Sequence, residues 1–142
     1  MPGVFMSETN VIRIAAAVIT DRQQRMLLVR KKNTRYFMQP GGKIEPQESA
    51  QAAVIRELQE ELGVSLKASL LIPMGEFTEN AANEPGYIVQ ATLFRHERPL
   101  SEVAAAAEIE EVRWVSREEA NTLLLAPLTK NIIIPCVWGG YN

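Results

Sequence analysis

Three carboxylates fall within five residues of this chain, Glu57, Glu60 and Glu61, and Arg56 directly precedes them. On a helix Glu57 and Glu61 are i,i+4 neighbours and Glu57 and Glu60 are i,i+3 neighbours, so the three share one strip of surface. Like charges at that spacing repel one another unless a cation sits among them. Oxygen-only donors suit a hard ion such as Mg²⁺ or Mn²⁺ and argue against zinc, which favours nitrogen and sulfur. Mg²⁺ retains several waters and takes phosphate oxygens as further ligands, so a partly open carboxylate cluster is what phosphate chemistry requires. Water held by such an ion loses a proton more easily and can then attack phosphorus.

The surrounding residues say how these side chains are positioned. Ser49 is an N-cap, Ala50 to Leu62 the helix, and Gly63 the left-handed residue that ends it. Val54, Ile55, Leu58 and Leu62 recur at helical spacing and form the face that packs on a sheet. The three glutamates lie beside that face, at the rim of the core, where half-desolvated carboxylates can be aimed at one ion. Ahead of the helix, Glu45-Pro46-Gln47-Glu48 reads as a turn. Pro40-Gly41-Gly42 stops regular structure and lets the backbone approach a ligand closely.

The sheet is expected from Val11–Thr20, a turn at Asp21–Gln24 and a returning strand Arg25–Arg30. Ser65–Thr78 holds apolar runs broken at Pro73 and Gly75, and Glu79–Gly86 is a polar loop. Strands follow at Tyr87–His96 and Ile109–Val115, joined by a loop over Arg98–Ala107. Ser116-Arg117-Glu118-Glu119 matches a capping box opening a helix to about Leu125. A last amphipathic helix runs from Pro127 to Pro135 or a little beyond. The elements do not alternate as regular βαβ units, which argues for a mixed sheet flanked by helices.

Composition narrows the function classes. At 142 residues, 46% hydrophobic and 23% charged, the sequence reads as one ordinary globular domain, 10–142, behind a loose tail at residues 1–9 that holds Met6 as an alternative start. A net charge of −2 gives no support for a general nucleic-acid or anionic-membrane surface, so phosphate binding must be local or assisted by metal. The single cysteine, Cys136, excludes an intramolecular disulfide and suits a reducing compartment. Its neighbours Ile132, Ile133, Ile134 and Val137 predict a buried, inert thiol. No run approaches the roughly 18 apolar residues of a membrane span. The start lacks a basic n-region and Arg13 interrupts the first apolar run, so the expected location is cytoplasmic.

Taken alone, the acidic run is usually a solvated helix face and a Pro-Gly-Gly is usually a turn. Here both occur at one fixed spacing, G-x5-E-x7-R-E-U-x-E-E-x-G-U with U a bulky apolar residue, met at Gly42, Glu48, Arg56, Glu57, Leu58, Glu60, Glu61, Gly63 and Val64. Seven fixed residues at ordinary frequencies match by chance with a probability on the order of 10⁻⁸ per start position. The chain resembles the Nudix hydrolases, of which this spacing is the signature box.

That resemblance implies an α/β fold, an α/β/α sandwich with a mixed central sheet, and hydrolysis of a nucleoside diphosphate linked to a further group X. It implies Glu57, Glu60 and Glu61 as ligands of Mg²⁺, with Mn²⁺ as the alternative, and Glu57 also as a candidate base. Arg56 then orients the glutamates, Glu48 anchors the loop, and the Gly41 carbonyl is a backbone metal ligand. Relatives often add a glutamate six residues before a late tryptophan; Glu108 stands so before Trp114, with Glu110 and Glu111 as rivals.

Substrate-binding candidates are less sharply drawn. Phe37 matches an aromatic often found ahead of the glycines and either stacks on a base or packs in the core. Gln39 departs from the apolar residue common at its position. Lys31, Lys32, Arg35 and Lys43 either meet phosphates or are solvated loop cations. Leu128-Thr129-Lys130-Asn131 lies where relatives contact a base, with Asn131 the candidate. His96 and Trp138 read as packing residues. The proline of ADP-ribose relatives is absent, Glu79 and Asn80 standing in its place, and Ala81 and Ala82 replace the tyrosine of dinucleoside-polyphosphate relatives. No coenzyme A motif precedes the box. This leaves nucleoside triphosphates or their modified forms. The alternative is a nucleotide-sensing or protein-binding module that keeps the fold without turnover. An isomerase of the same fold would need a cysteine and histidine near the site, where Cys136 and His96 are poorly placed. The apolar Tyr87 strand is compatible with a homodimer.

Overall fold

The structure is a computed structural model that describes residues 10–100 and 102–139; the tail at residues 1–9, with Met6, lies outside them. Among the described residues seven strands fall into two sheets. β1 (Val11–Val18), β4 (Gly41–Lys43), β5 (Leu71–Asn80) and β6 (Ile88–His96) form one, in the order β4-β1-β6-β5. β2 (Met26–Lys31), β3 (Phe37–Met38) and β7 (Ile109–Val115) form the other, in the order β3-β2-β7. The larger sheet is mixed, because β1 runs parallel to β6 while β4 and β5 are antiparallel to their neighbours. β2 does not return alongside β1 as a hairpin. A bridge at Thr20 and Met26 and a bond from the Leu27 N–H to the Ile19 carbonyl are what join them before the chain passes to the second sheet.

β1 shows why there are two cores. Side chains alternate across a strand. Ala15, Ala17 and Ile19 face a cluster with Val54, Leu58 and Leu62 of helix α1 (Ala50–Leu62), while Ala16 and Val18 face a second cluster with Leu128 and Ile133 of the terminal helical segment. The sheets are therefore sandwiched between α1 and the C-terminal helix. Leu58 and Val54 are fully buried, each worth roughly 1.5–3 kcal/mol in removed apolar surface.

Helix α1 has the bounds its sequence predicts. The Ser49 hydroxyl accepts the Ala52 N–H at 3.0 Å. Gly63, at φ +67°, ends the helix with bonds from the Gly63 N–H to the Gln59 carbonyl and from the Val64 N–H to the Leu58 carbonyl.

Three expectations are corrected. The capping box at Ser116 and Glu119 forms, but its helix α2 spans only Arg117–Ala120. The residues beyond are drawn to β3 instead, with the Phe37 N–H bonded to the Leu124 carbonyl and the Ala126 N–H to the Phe37 carbonyl. β5 runs through Pro73 and Gly75 to Asn80, because the irregularity is absorbed as a bulge on an edge strand, where proline's missing donor costs little. The terminal helix forms where the sequence expects it, winding helically over residues 127–138, with a π-turn at Thr129–Ile133 leading into helix α3 (Ile134–Trp138). Cys136 on it is exposed rather than buried. No helix among the described residues is long and apolar enough to cross a membrane.

Candidate active site

The site is built where β4 crosses under α1. Gly41 has φ +151°, and a Cβ there would lie 2.6 Å from the Ala16 Cα, so glycine lets β4 settle on the small residues of β1. The next glycine meets the helix. A Cβ at Gly42 would fall 2.5 and 2.8 Å from the Glu57 carboxylate oxygens, so Glu57 rests on the bare backbone of the loop.

Arg56 organises the carboxylates from the other side. Its Nε and Nη2 donate to the two oxygens of Glu48 at 2.7 and 2.9 Å, a bidentate fork. Its Nη1 donates to Glu57 at 3.0 Å and to Glu60 at 3.5 Å, and Nη2 also reaches the Lys43 carbonyl at 3.2 Å. One guanidinium thus ties helix, turn and β4 together. The fork, with a bond from the Glu45 N–H, holds the Glu48 carboxyl down at about 2.

The three glutamates occupy different environments. Glu60 is more than half exposed and leans on Arg56. Glu57 is mostly covered. Glu61 is not at the rim as expected but buried, its Oε1 accepting the Gly41 N–H at 3.3 Å. Burial pushes its carboxyl up to about 8, with the Glu57 charge and a hydrogen bond between the two carboxyls acting in the same direction and Lys31 opposing. Among the described residues no three acidic, histidine or cysteine side chains are gathered closely enough to hold one ion. Glu57 and Glu61 stand as a pair.

The remaining candidates scatter. Glu108 is exposed just before β7, its carbonyl accepting the Lys32 N–H at 2.8 Å. Of its rivals, Glu110 is exposed, and Glu111 is engaged by Arg30 at 3.2 Å and Arg113 at 2.9 Å. Phe37 is buried, with Arg113 stacked 5.5 Å from its ring centre, which is the core-packing alternative. Arg35 is exposed, and Asn131 is exposed with its Nδ2 donating to Glu79 at 3.2 Å. His96 is buried with Nδ1 2.6 Å from the Arg98 carbonyl, and the Trp138 indole donates to the Gln24 carbonyl at 3.0 Å.

Beside the glycines opens a cavity of about 270 Å³, whose lining includes Gly41, Gly42, Lys43, Lys31, Gln39 and Thr129. The loop from Asn80 to Glu84 closes its far side. The sequence marks Glu79–Gly86 as a polar loop, but nothing in its residue types places it on the wall of this cavity. The sequence also flags Gln39 as an oddity. That residue is buried and accepts the Thr129 hydroxyl at 2.7 Å.

The chain is similar to known proteins. The family model described as NUDIX domain matches residues 11–134. The chain is 31% identical over 123 residues to a CTP pyrophosphohydrolase of Escherichia coli K12, covering 83% of this chain and 85% of that protein. It is 34% identical over 71 residues to an 8-oxo-dGTP diphosphatase of Proteus vulgaris, covering 47% of this chain and 63% of that protein. The match to a Bacillus subtilis relative, 36% identical over 58 residues, spans 41% of this chain and only 39% of that protein. A crystal structure of a MutT protein from Methanosarcina mazei Go1 superposes with a TM-score of 0.68 at 27% identity, covering 82% of this chain and 85% of that one.

Proposed function

The chain belongs to the Nudix family, and from that premise we propose that it is a divalent-metal-dependent pyrophosphohydrolase acting on a nucleoside triphosphate or a modified nucleotide. The observation that carries this reading is the Glu57–Glu61 pair seated on Gly41 and Gly42 beside a cavity of about 270 Å³. A mononucleotide whose phosphates lie along the glycines would place its base in that cavity. Names of relatives that act on CTP and 8-oxo-dGTP support the same substrate class. Residues 10–142 serve as one domain.

The donor set fits a hard cation. The Glu57 charge and a hydrogen bond with its carboxyl add to the burial that raises the proton affinity of Glu61, a like-charge pair that a divalent ion would relieve. Glu57 and Glu61 would hold it, with the Gly41 carbonyl as a further donor; Glu60 and Glu108, which this structure leaves exposed and apart from the pair, would have to move to join them. Mg²⁺ or Mn²⁺ would supply positive charge to the phosphate oxygens as phosphorus is attacked.

The chain's own groups do the rest. Glu57, oriented by Arg56, accepts a proton from the attacking water, which forms a new P–O bond as the anhydride P–O bond breaks. Pyrophosphate leaves a triphosphate substrate and a nucleoside monophosphate remains. Glu48 acts through Arg56 and touches no substrate. Lys31 and Lys43, both on the cavity wall, offset phosphate charge.

The test is hydrolysis of a nucleotide panel by the full chain with Mg²⁺ or Mn²⁺, with chelator controls. Glu57→Gln and Glu61→Gln should each lower turnover by about a hundredfold or more. Activity that survives both changes would refute the metal-site assignment. Nucleotide binding without release of phosphate or pyrophosphate from any panel member would establish the non-catalytic module instead.

A further inference from the structure

The smaller sheet carries a charged cluster on the face turned away from α1. Side chains alternate along β2. Leu27 and Val29 pack toward α1, whereas Met26 and Leu28 pack on the opposite face with Phe37 and Ile133. Arg30 follows on that opposite face, and its strand neighbours are Glu111 on β7 and Phe37 on β3. Glu111 is held between two guanidiniums. The Arg30 Nε donates to its Oε1 at 3.2 Å and the Arg113 Nε to its Oε2 at 2.9 Å. Arg113 in turn lies over the Phe37 ring, 5.5 Å from its centre.

What this cluster secures is a turn. The Arg30 Nη1 also donates to the Thr34 carbonyl at 2.9 Å. The Thr34 N–H and hydroxyl both return to the Lys31 carbonyl, at 3.1 and 2.8 Å, and the Lys32 N–H bonds to the Glu108 carbonyl at 2.8 Å. Asn33, between them, takes the left-handed φ of +63° that a tight turn demands. Lys31 is the last residue of β2 and the first of this turn. The register slips there, since Arg30 pairs with Glu111 but Lys31 with Ile109, leaving Glu110 as an extra residue on β7. Such a bulge interrupts the ladder, so pairing to β7 alone guides Lys31 only weakly. Yet Lys31 lines the cavity beside the glycines, and its charge reaches Glu61.

We infer that Arg30 and Glu111 are positioning residues for Lys31: from the far face of the smaller sheet they fix the turn that aims its ammonium at the substrate's phosphates. The inference deepens the pyrophosphohydrolase reading, from which it takes the placement of the phosphates along the glycines. A lysine carries a point charge on a long, rotamer-rich stem, so the charge is useful only where the backbone beneath it is held. Glu111, a rival metal donor by sequence, has a different task in this arrangement, because both its oxygens are engaged by arginines. The Arg30 and Glu111 side chains are 26% and 34% exposed, so the pair acts through solvent-screened bonds and its effect is a matter of a few fold.

The experiment is a double-mutant cycle on the full chain, with KM and kcat measured on the nucleotide panel in Mg²⁺. Lys31→Met removes the charge, and Arg30→Met or Glu111→Ala removes the clamp. Phosphate charge is present in the ground state and the transition state alike, so each single change should raise KM while kcat stays within about twofold. The rise expected for Arg30→Met and for Glu111→Ala is about threefold to fivefold. In the Lys31→Met background the same two changes should move KM by less than about 1.5-fold, because the residue they position is already gone. Asp21→Asn, which breaks the Arg25–Asp21 pair on the turn after β1, sets the scale of a purely structural loss: a lower melting temperature at unaltered KM. A clamp effect that persists undiminished in the Lys31→Met background would overturn the inference. So would single changes that leave KM unaltered, whatever they do to the melting temperature. If the parent hydrolyses no nucleotide, the catalytic reading fails separately, and the cycle is read on Kd for α,β-methylene-ATP and α,β-methylene-CTP. Coupling of the clamp to Lys31 sustains the inference there; independent effects, or no binding by the parent, overturn it. Melting curves identify any variant that does not fold, and Arg30→Gln then takes the place of Arg30→Met.

Discussion

Gly42 and Glu57 are fitted to one another: the carboxylate of the helix occupies the space a Cβ would need on the loop. Gly42→Ala must push Glu57 away from its seat or lift β4 from the helix. Displacements near 1 Å in a positioned group cost on the order of a hundredfold in rate. The expected outcome is a loss of that size in kcat, with a melting temperature that moves little because Glu57 can swing toward solvent. Steady-state kinetics beside a thermal melt would check it. Unaltered kcat would show that Glu57 works from another position.

Glu61 makes stability depend on pH in the metal-free protein. Its folded-state carboxyl is raised from 4.5 to about 8, so between those values the unfolded chain has released a proton that the folded chain still holds. Stability therefore falls as pH rises from about 4.5 to about 8 and levels beyond. Glu61→Gln removes the titrating group and should flatten this part of the profile, leaving the variant more stable than the parent at pH 8. Urea unfolding across that range in chelator reads both curves. Parallel profiles would refute the assignment.

Glu48 works in the opposite sense. Its carboxyl is lowered to about 2 by the Arg56 fork, so its contribution is present above the ordinary carboxylate range and is lost as pH falls toward 2. Arg56→Lys replaces a planar fork with a point charge that cannot bond both Glu48 oxygens and Glu57 together. The variant should be less stable than the parent at neutral pH, converge with it in acid, and turn over about tenfold more slowly or worse. Acid titration of unfolding, paired with rates at neutral pH, distinguishes this from a uniform loss.

The caps of α1 give a control away from chemistry. Ser49→Ala removes the bond to the Ala52 N–H and should cost about 1 kcal/mol. Gly63→Ala places a Cβ at φ +67°, worth roughly 1–2 kcal/mol. Both should appear in chemical denaturation with KM unaltered. A shift in KM would mean that the helix ends transmit motion to the glutamates.

What the sequence made legible was local. Helix α1 was readable to its ends because its caps, its apolar spacing and its glutamates all lie within one turn of the residues that decide them. The burial of Glu61 was not, since the Gly41 N–H that its carboxyl meets reaches the helix only through the sheet. The helix after Ser116 was overdrawn because Leu124 and Ala126 exchange hydrogen bonds with Phe37, far away in sequence. Cys136 was misplaced because α-helical periodicity does not carry through a π-turn, which holds an extra residue. Gln39 stood out by its polarity, but its partner Thr129 lies on another layer and nothing in the spacing joins them.

The parallel pairing of β1 with β6, which sets Val11 against Ile88, has a consequence for the order of events at synthesis. β4 carries the glycines, and among the described residues its only strand partner is β1. β1 is held on its other edge by a strand made long after Val64. Non-local parallel pairing is slow to form. The whole signature box therefore leaves the ribosome before the strand that holds its glycines has its long partner. The site is written early in the chain and assembled late.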